Sequence, residues 1–256
     1  MNDMNQTPPQ LPPHLQPTPP PFADDPSEQQ PINGVAAAIE SILRQPRRVM
    51  HALRQPGAGR ITAALVLVAL VCALIYGVVV GTFSRGDQLW IAPLKIAGGL
   101  LIASVICLPS LYIFACLSGS RARLSEMAGL LAGALLLMTL LLIGFAPVAW
   151  LFSESTSSIC WMGALHLLLW GIATVFGLRF LGAGFAATQA RSQAGLRVWA
   201  VIFVLVCLQL TTALRPIIGT SDKVFPGATE KKFFLKHWLD CGDQAATRPV
   251  NSPGVD

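Results

Sequence analysis

The sequence predicts an all-α membrane protein, a five-transmembrane-helix bundle, and three observations carry that prediction. Charged residues are 12% of the 256, where soluble domains carry roughly 25%, while 53% are hydrophobic and the mean hydropathy is +0.58. Five apolar runs exceed the ~18 residues at which a segment becomes a membrane-span candidate. Arginine is concentrated in alternate connections between those runs, as the positive-inside rule requires of a multi-span chain.

Residues 1–31 hold ten of the 19 prolines, mixed with Gln, Asn, Thr and acidic residues. Such a segment buries too little apolar surface to offset its ordering entropy, so a disordered Pro-rich arm with polyproline II character is expected. Pro8-Pro9, Pro12-Pro13 and Pro19-Pro20-Pro21 offer motifs to a Pro-binding partner; a solvated tail is the simpler reading. The arm has neither a basic n-region nor an apolar h-region, so the first internal span is expected to direct insertion.

Residues 32–56 read as two short interfacial helices. Asn33 is the expected N-cap, and Val35, Ile39 and Ile42 recur at helical spacing. Pro46 disfavours helix at Gln45 and opens a second helix. There Val49, Met50 and Leu53 face one way, with Arg47, Arg48, His51 and Arg54 covering much of the remainder. That pattern suits an anionic membrane surface; a partner-binding helix is the competing reading. Nucleic acid is not expected, because aromatics are not interleaved with the basic residues and no recognition motif is present.

The membrane domain, 61–218, comprises the runs 61–83, 96–117, 127–152, 159–178 and 198–218. The third and fourth, separated by Ser153 to Ser158, should form an antiparallel hairpin. With the N-terminus cytoplasmic, the inner segments carry the five Arg from Arg44 to Arg60, then Arg121, Arg123, Arg179, Arg191 and Arg197. The outer loops carry only Arg85 and Lys95, so ten against two sets the N-terminus in the cytoplasm and, after five spans, the C-terminus outside. Lys and Arg in the tail oppose this, but N-terminal charge usually dominates. Trp150 and Trp161 then fall at the outer interface. The expected location is the bacterial inner membrane, with an anionic inner leaflet as the lipid partner.

Polar residues in the runs are few. Gln209, Thr212 and Arg215 end the last span; the first two can bond to neighbouring spans, and Arg215 can snorkel to the interface. His166 reads either as a ligand or proton carrier, or as a hydrogen-bonded packing residue, the reading preferred here. Arg179, at the end of the fourth run, can snorkel inwards. Pro109 and Pro147 free backbone carbonyls, either lining a transport path or kinking helices for packing; the kink is preferred, since no Asp or Glu lies in any run. Gly77-x-x-x-Gly81, Gly99-x-x-x-Ala103 and Gly129-x-x-x-Gly133 allow close helix approach, within one bundle or across a homodimer seam.

No catalytic or phosphate-loop motif and no CxxC occurs, so neither an enzyme nor a cofactor or metal is expected. The outer tail, 219–256, contains an amphipathic helix near 229–241; its His237 and Cys241 are too few ligands for a metal. Cys160 and Cys241 both fall outside, where an oxidising compartment permits a disulfide.

Leu43-Arg44-Gln45-Pro46, Tyr76-Gly77 to Gly81, Ala92-Pro93-Leu94-Lys95, Cys107-Leu108-Pro109-Ser110-Leu111-Tyr112 and Leu214-Arg215-Pro216 together carry a resemblance. Over roughly residues 40–240 the chain resembles a group of bacterial multi-pass membrane proteins of the Yip1-like type. The resemblance implies a cytosolic N-terminal region, about five spans, and a role in membrane organisation without catalysis; it implies no site residues. The expected function is a non-catalytic membrane scaffold or accessory subunit, associating with other membrane subunits or itself. The alternative is a small-solute transporter or channel component using Gln209, Thr212, Arg215 and the Pro109 break.

Overall fold

The computed structural model describes residues 32, 34–55, 57–84, 88–120, 122–155, 159–188, 190 and 192–213, and every one of its regular elements is a helix. These are α1 (Val35–Arg44), α2 (Pro46–Ala52), α3 (Ala58–Ser84), α4 (Gln88–Leu117), α5 (Leu124–Ser155), α6 (Ile159–Ala187) and α7 (Ala194–Ala213). The Pro-rich arm and the outer tail, with Arg215 and Cys241, lie outside the described residues.

Gly34, at φ 93°, takes the cap position before α1 that the sequence suggested for Asn33, itself outside the described residues. Only glycine enters that left-handed region without strain. Gln45, at φ −134° and ψ 63°, breaks the helix ahead of Pro46, which starts α2. Ala38, Ser41 and Ile42 of α1, Val49 and Met50 of α2, and Leu53 directly after α2 are buried. Arg44, Arg47 and Arg54 are exposed.

Among the described residues four helices, α3 to α6, are long and apolar enough to cross a membrane. The fifth, α7, runs 20 residues to the end of the described chain, about 30 Å of rise. The helices outrun the apolar runs because polar residues at an interface do not end a helix whose backbone stays paired. Thus α4 begins at Gln88 and takes in Pro93 and Lys95, and α6 continues through Arg179 to Ala187. The boundary expected at Arg179 is therefore displaced by eight residues.

The centre of the bundle is α5: 61% of its apolar stretch is buried, against 39%, 28% and 33% for α3, α4 and α6. Contacts place α3 between α5 and α4, α6 on α5, and α7 on α4. Lipid is as apolar as leucine, so burying apolar side chains does little to hold spans together; close packing does. A Cβ on Gly77 would meet the backbone of Pro93, 3.0 Å from its nitrogen. One on Gly177 would stand 3.0 Å from the carbonyl oxygen of Ala134, and one on Gly133 would strike the ring of Phe180. Gly129 accepts Leu53 and the Thr62 hydroxyl. Gly77, Gly129 and Gly133 are thus spent on packing within one bundle, not on a seam between copies.

These contacts fix direction. Thr62 beside Gly129 makes α3 and α5 parallel, while Gly77 with Pro93 and Gly133 with Phe180 make α4 and α6 antiparallel to them. Gly195, against Phe114 and Ser118, starts α7 where α4 ends. The starts of α3, α5 and α7 therefore share one end of the bundle with α1 and α2.

Candidate functional site

Two features concentrate polar chemistry. The first is a layer inside the spans. Tyr76 is eight residues before the end of α3, and His166 is seven residues after the start of α6, so both sit about 10–12 Å from the same end of the bundle. The Tyr76 hydroxyl lies 2.8 Å from His166 Nδ1, with the rings edge to face at 5.8 Å. Both residues are buried. His166 is thus a hydrogen-bonded residue that bridges two spans. Its Nε2 is buried without a hydrogen-bond partner among the described residues. A buried polar atom left unpaired costs about 1–3 kcal/mol, so the ring nitrogen is set up to receive one further polar group. Lys95, seven residues into α4, lies at the same depth and is 5% exposed.

Three hydroxyl side chains in the spans bond back to their own helices. Thr139 Oγ1 donates to the carbonyls of Leu135 and Leu136 of its own helix. Ser104 and Ser110 return to Leu100 and Cys107. Trp199, fully buried on α7, donates Nε1 to the Cys107 carbonyl at 2.9 Å and stacks on Phe203. Pro109 and Pro147 are both exposed on outer faces, so neither lines the interior.

The second feature is the end that α1 and α2 cover. Arg54 donates to the carbonyl of Ala187, the last residue of α6, where helix carbonyls are otherwise unsatisfied and the dipole is negative. Leu53 fills the notch at Gly129. The turn after α4 is closed by Gly119 at φ 77°, and Ser120 donates to Thr188 Oγ1 at 2.8 Å. These ties fasten the α1–α2 pair and the α4–α5 turn to the end of α6. Arg44, Arg47, Arg54, Arg60, Arg123 and Arg197 are exposed around this end. At the opposite end Trp90, Trp150 and Trp161 are exposed.

Of the residues singled out in the sequence, the structure joins His166 to Tyr76 and leaves Gln209 exposed on α7. The Thr212 and Cys160 side chains, with Arg215 and Cys241, lie outside the described residues. Cys72, Cys107, Cys116 and Cys207 are free thiols. Tyr76 and Lys95 are the residues that sequence reasoning passed over as site members. The signal was depth: a phenol and an imidazole equally far from one end of adjacent spans. No family model, curated protein or solved structure matches the chain. The Yip1-like resemblance rests on its quoted strings alone.

Proposed function

We propose that this chain is a non-catalytic integral membrane scaffold or accessory subunit of a larger membrane assembly. Its basic α1–α2 end would face the cytoplasm, with the tryptophan end and C-terminus outside. The observation that carries this reading is the packing at Gly77, Gly133 and Gly177, where helices lie too close to slide past one another. Such an interior suits a fixed platform better than two halves that rock around a substrate. The docked α1–α2 pair supports it further, because Arg54 and Leu53 hold an arginine-bearing surface in one orientation. The orientation is supported by the arginines exposed at one end, which the positive-inside rule assigns to the cytoplasm.

A small-solute transporter or channel component is the second reading, favoured by the orphaned His166 Nε2 and the buried Lys95. Purification in mild detergent with identification of co-purifying chains separates the two. The scaffold reading expects a stable stoichiometric partner. A lone chain that moves solute in liposomes, with flux abolished by His166→Leu, would overturn it.

A further inference from the structure

Among the described residues two buried side-chain polar atoms have no hydrogen-bond partner, His166 Nε2 and Thr174 Oγ1, and both are on α6. Their residues are 8% and 3% exposed. Two other buried hydroxyls within the spans, Ser104 and Thr139, return to carbonyls of their own helices; Thr174 does not. At the α1–α2 end the Thr188 hydroxyl and the Trp199 N–H are bonded, and Phe180, Phe185 and Phe203 pack as apolar groups. The unmet polar capacity is thus confined to the stretch from His166 to Thr174, about 10 Å to about 22 Å from the tryptophan end of α6.

Tyr76 holds the His166 ring through Nδ1, so Nε2 points away from that bond. Whichever nitrogen carries the proton, Nε2 is left as either a donor or an acceptor. The Thr174 hydroxyl is both. One turn along α6 from Thr174, Gly177 lacks a side chain, and the Ala134 carbonyl oxygen of α5 lies 3.0 Å from where a Cβ would stand. That oxygen keeps a second lone pair beyond the one its own helix uses. An acceptor on α5 therefore approaches α6 beside the unpartnered hydroxyl.

We propose that α6 binds two buried water molecules, one at His166 Nε2 and one joining Thr174 Oγ1 to the Ala134 carbonyl of α5. Water donates and accepts, so it satisfies either tautomer of His166 and the hydroxyl of Thr174. Ordered water is the usual partner of buried polar groups that the protein does not pair itself. A metal ion is a poorer occupant, since among the described residues no three His, Cys, Asp or Glu side chains stand together. The second water ties α5 to α6 where Gly177 brings them close. A fixed platform and a solute path can each hold such water, so the proposal stands apart from both readings above.

The test is X-ray radiolytic footprinting of the full chain in mild detergent, in which a bound water yields hydroxyl radical that oxidises the nearest methionine. Met162, fully buried, is one turn before His166, and Met138, 2% exposed, has its Sδ 2.9 Å from a Cβ built on Gly177. Met127 is the control, equally buried and only three residues from the start of α5, so nearer to bulk water. Met162 and Met138 should gain oxygen severalfold faster than Met127. Tyr76→Phe combined with His166→Phe removes both polar groups at similar volume, and Met162 should then fall to the Met127 rate. Thr174→Val exchanges one hydroxyl for a methyl and should do the same at Met138; it also covers the case of an unfolded double variant. Each site stands or falls with its own methionine. Oxidation no faster than at Met127 in the wild type, or unchanged in a folded variant, would overturn it.

Discussion

Gly77→Val is expected to destabilise the bundle by about 3 kcal/mol, the upper part of the range for overpacking a filled interior. The cause is geometric. A Cβ at residue 77 runs into the backbone of Pro93, which cannot swing aside as a side chain can. Pro93 is also held in helix α4 with its φ fixed by the ring, so α3 and α4 must separate along their shared length. Thermal unfolding in detergent measures the loss. Gly144→Val is the matched control, because nothing lies within 4 Å of a Cβ there, and it should be close to neutral. Equal stability of the two variants would mean that α3 and α4 do not touch at glycine.

Trp199→Ala should cost about 3–5 kcal/mol, the range for removing a buried aromatic side chain. Trp199 is fully buried, stacks on Phe203 with ring centroids 5.2 Å apart, and donates its indole N–H to Cys107 of α4. α7 is held chiefly through α4, since it makes few contacts with α5 or α6. Protease cleavage between α6 and α7 should accelerate in the variant. Trp199→Phe keeps the stack and loses one hydrogen bond, so it should fall between wild type and alanine. An alanine variant as stable as wild type would place α7 away from α4.

The spans themselves were legible in the sequence, because twenty uncharged apolar residues in a row have few other uses. So was the unequal placement of arginine and tryptophan. Neighbour order was not. Consecutive helices α4 and α5 touch little, while α3 sits between them in space, and no periodic pattern announces this. A span apolar all round shows no face that must be hidden from lipid, so small residues decide which helices meet. Gly77-x-x-x-Gly81 and Gly129-x-x-x-Gly133 were visible as motifs; that Pro93, Thr62 and Phe180 would receive them was not. Lys95 was counted with an outer loop because the apolar run opens only at Ile96, yet α4 starts at Gln88 and runs through Pro93 and Lys95. The fourth span was ended at its only arginine, although an arginine at the edge of the hydrocarbon allows the helix to continue among headgroups. Tyr76 and His166 were separated by 90 residues, and only their common depth linked them.

The most direct measurement labels the two ends of the central helix. Glu154→Cys and Arg123→Cys, both exposed and at opposite ends of α5, are made with Cys116, Cys160 and Cys241 replaced by serine and the buried cysteines kept. Intact cells treated with a membrane-impermeant maleimide should label residue 154, and residue 123 only after permeabilisation. Labelling of 123 alone in intact cells would invert the orientation, and labelling of both would contradict a membrane-spanning α5.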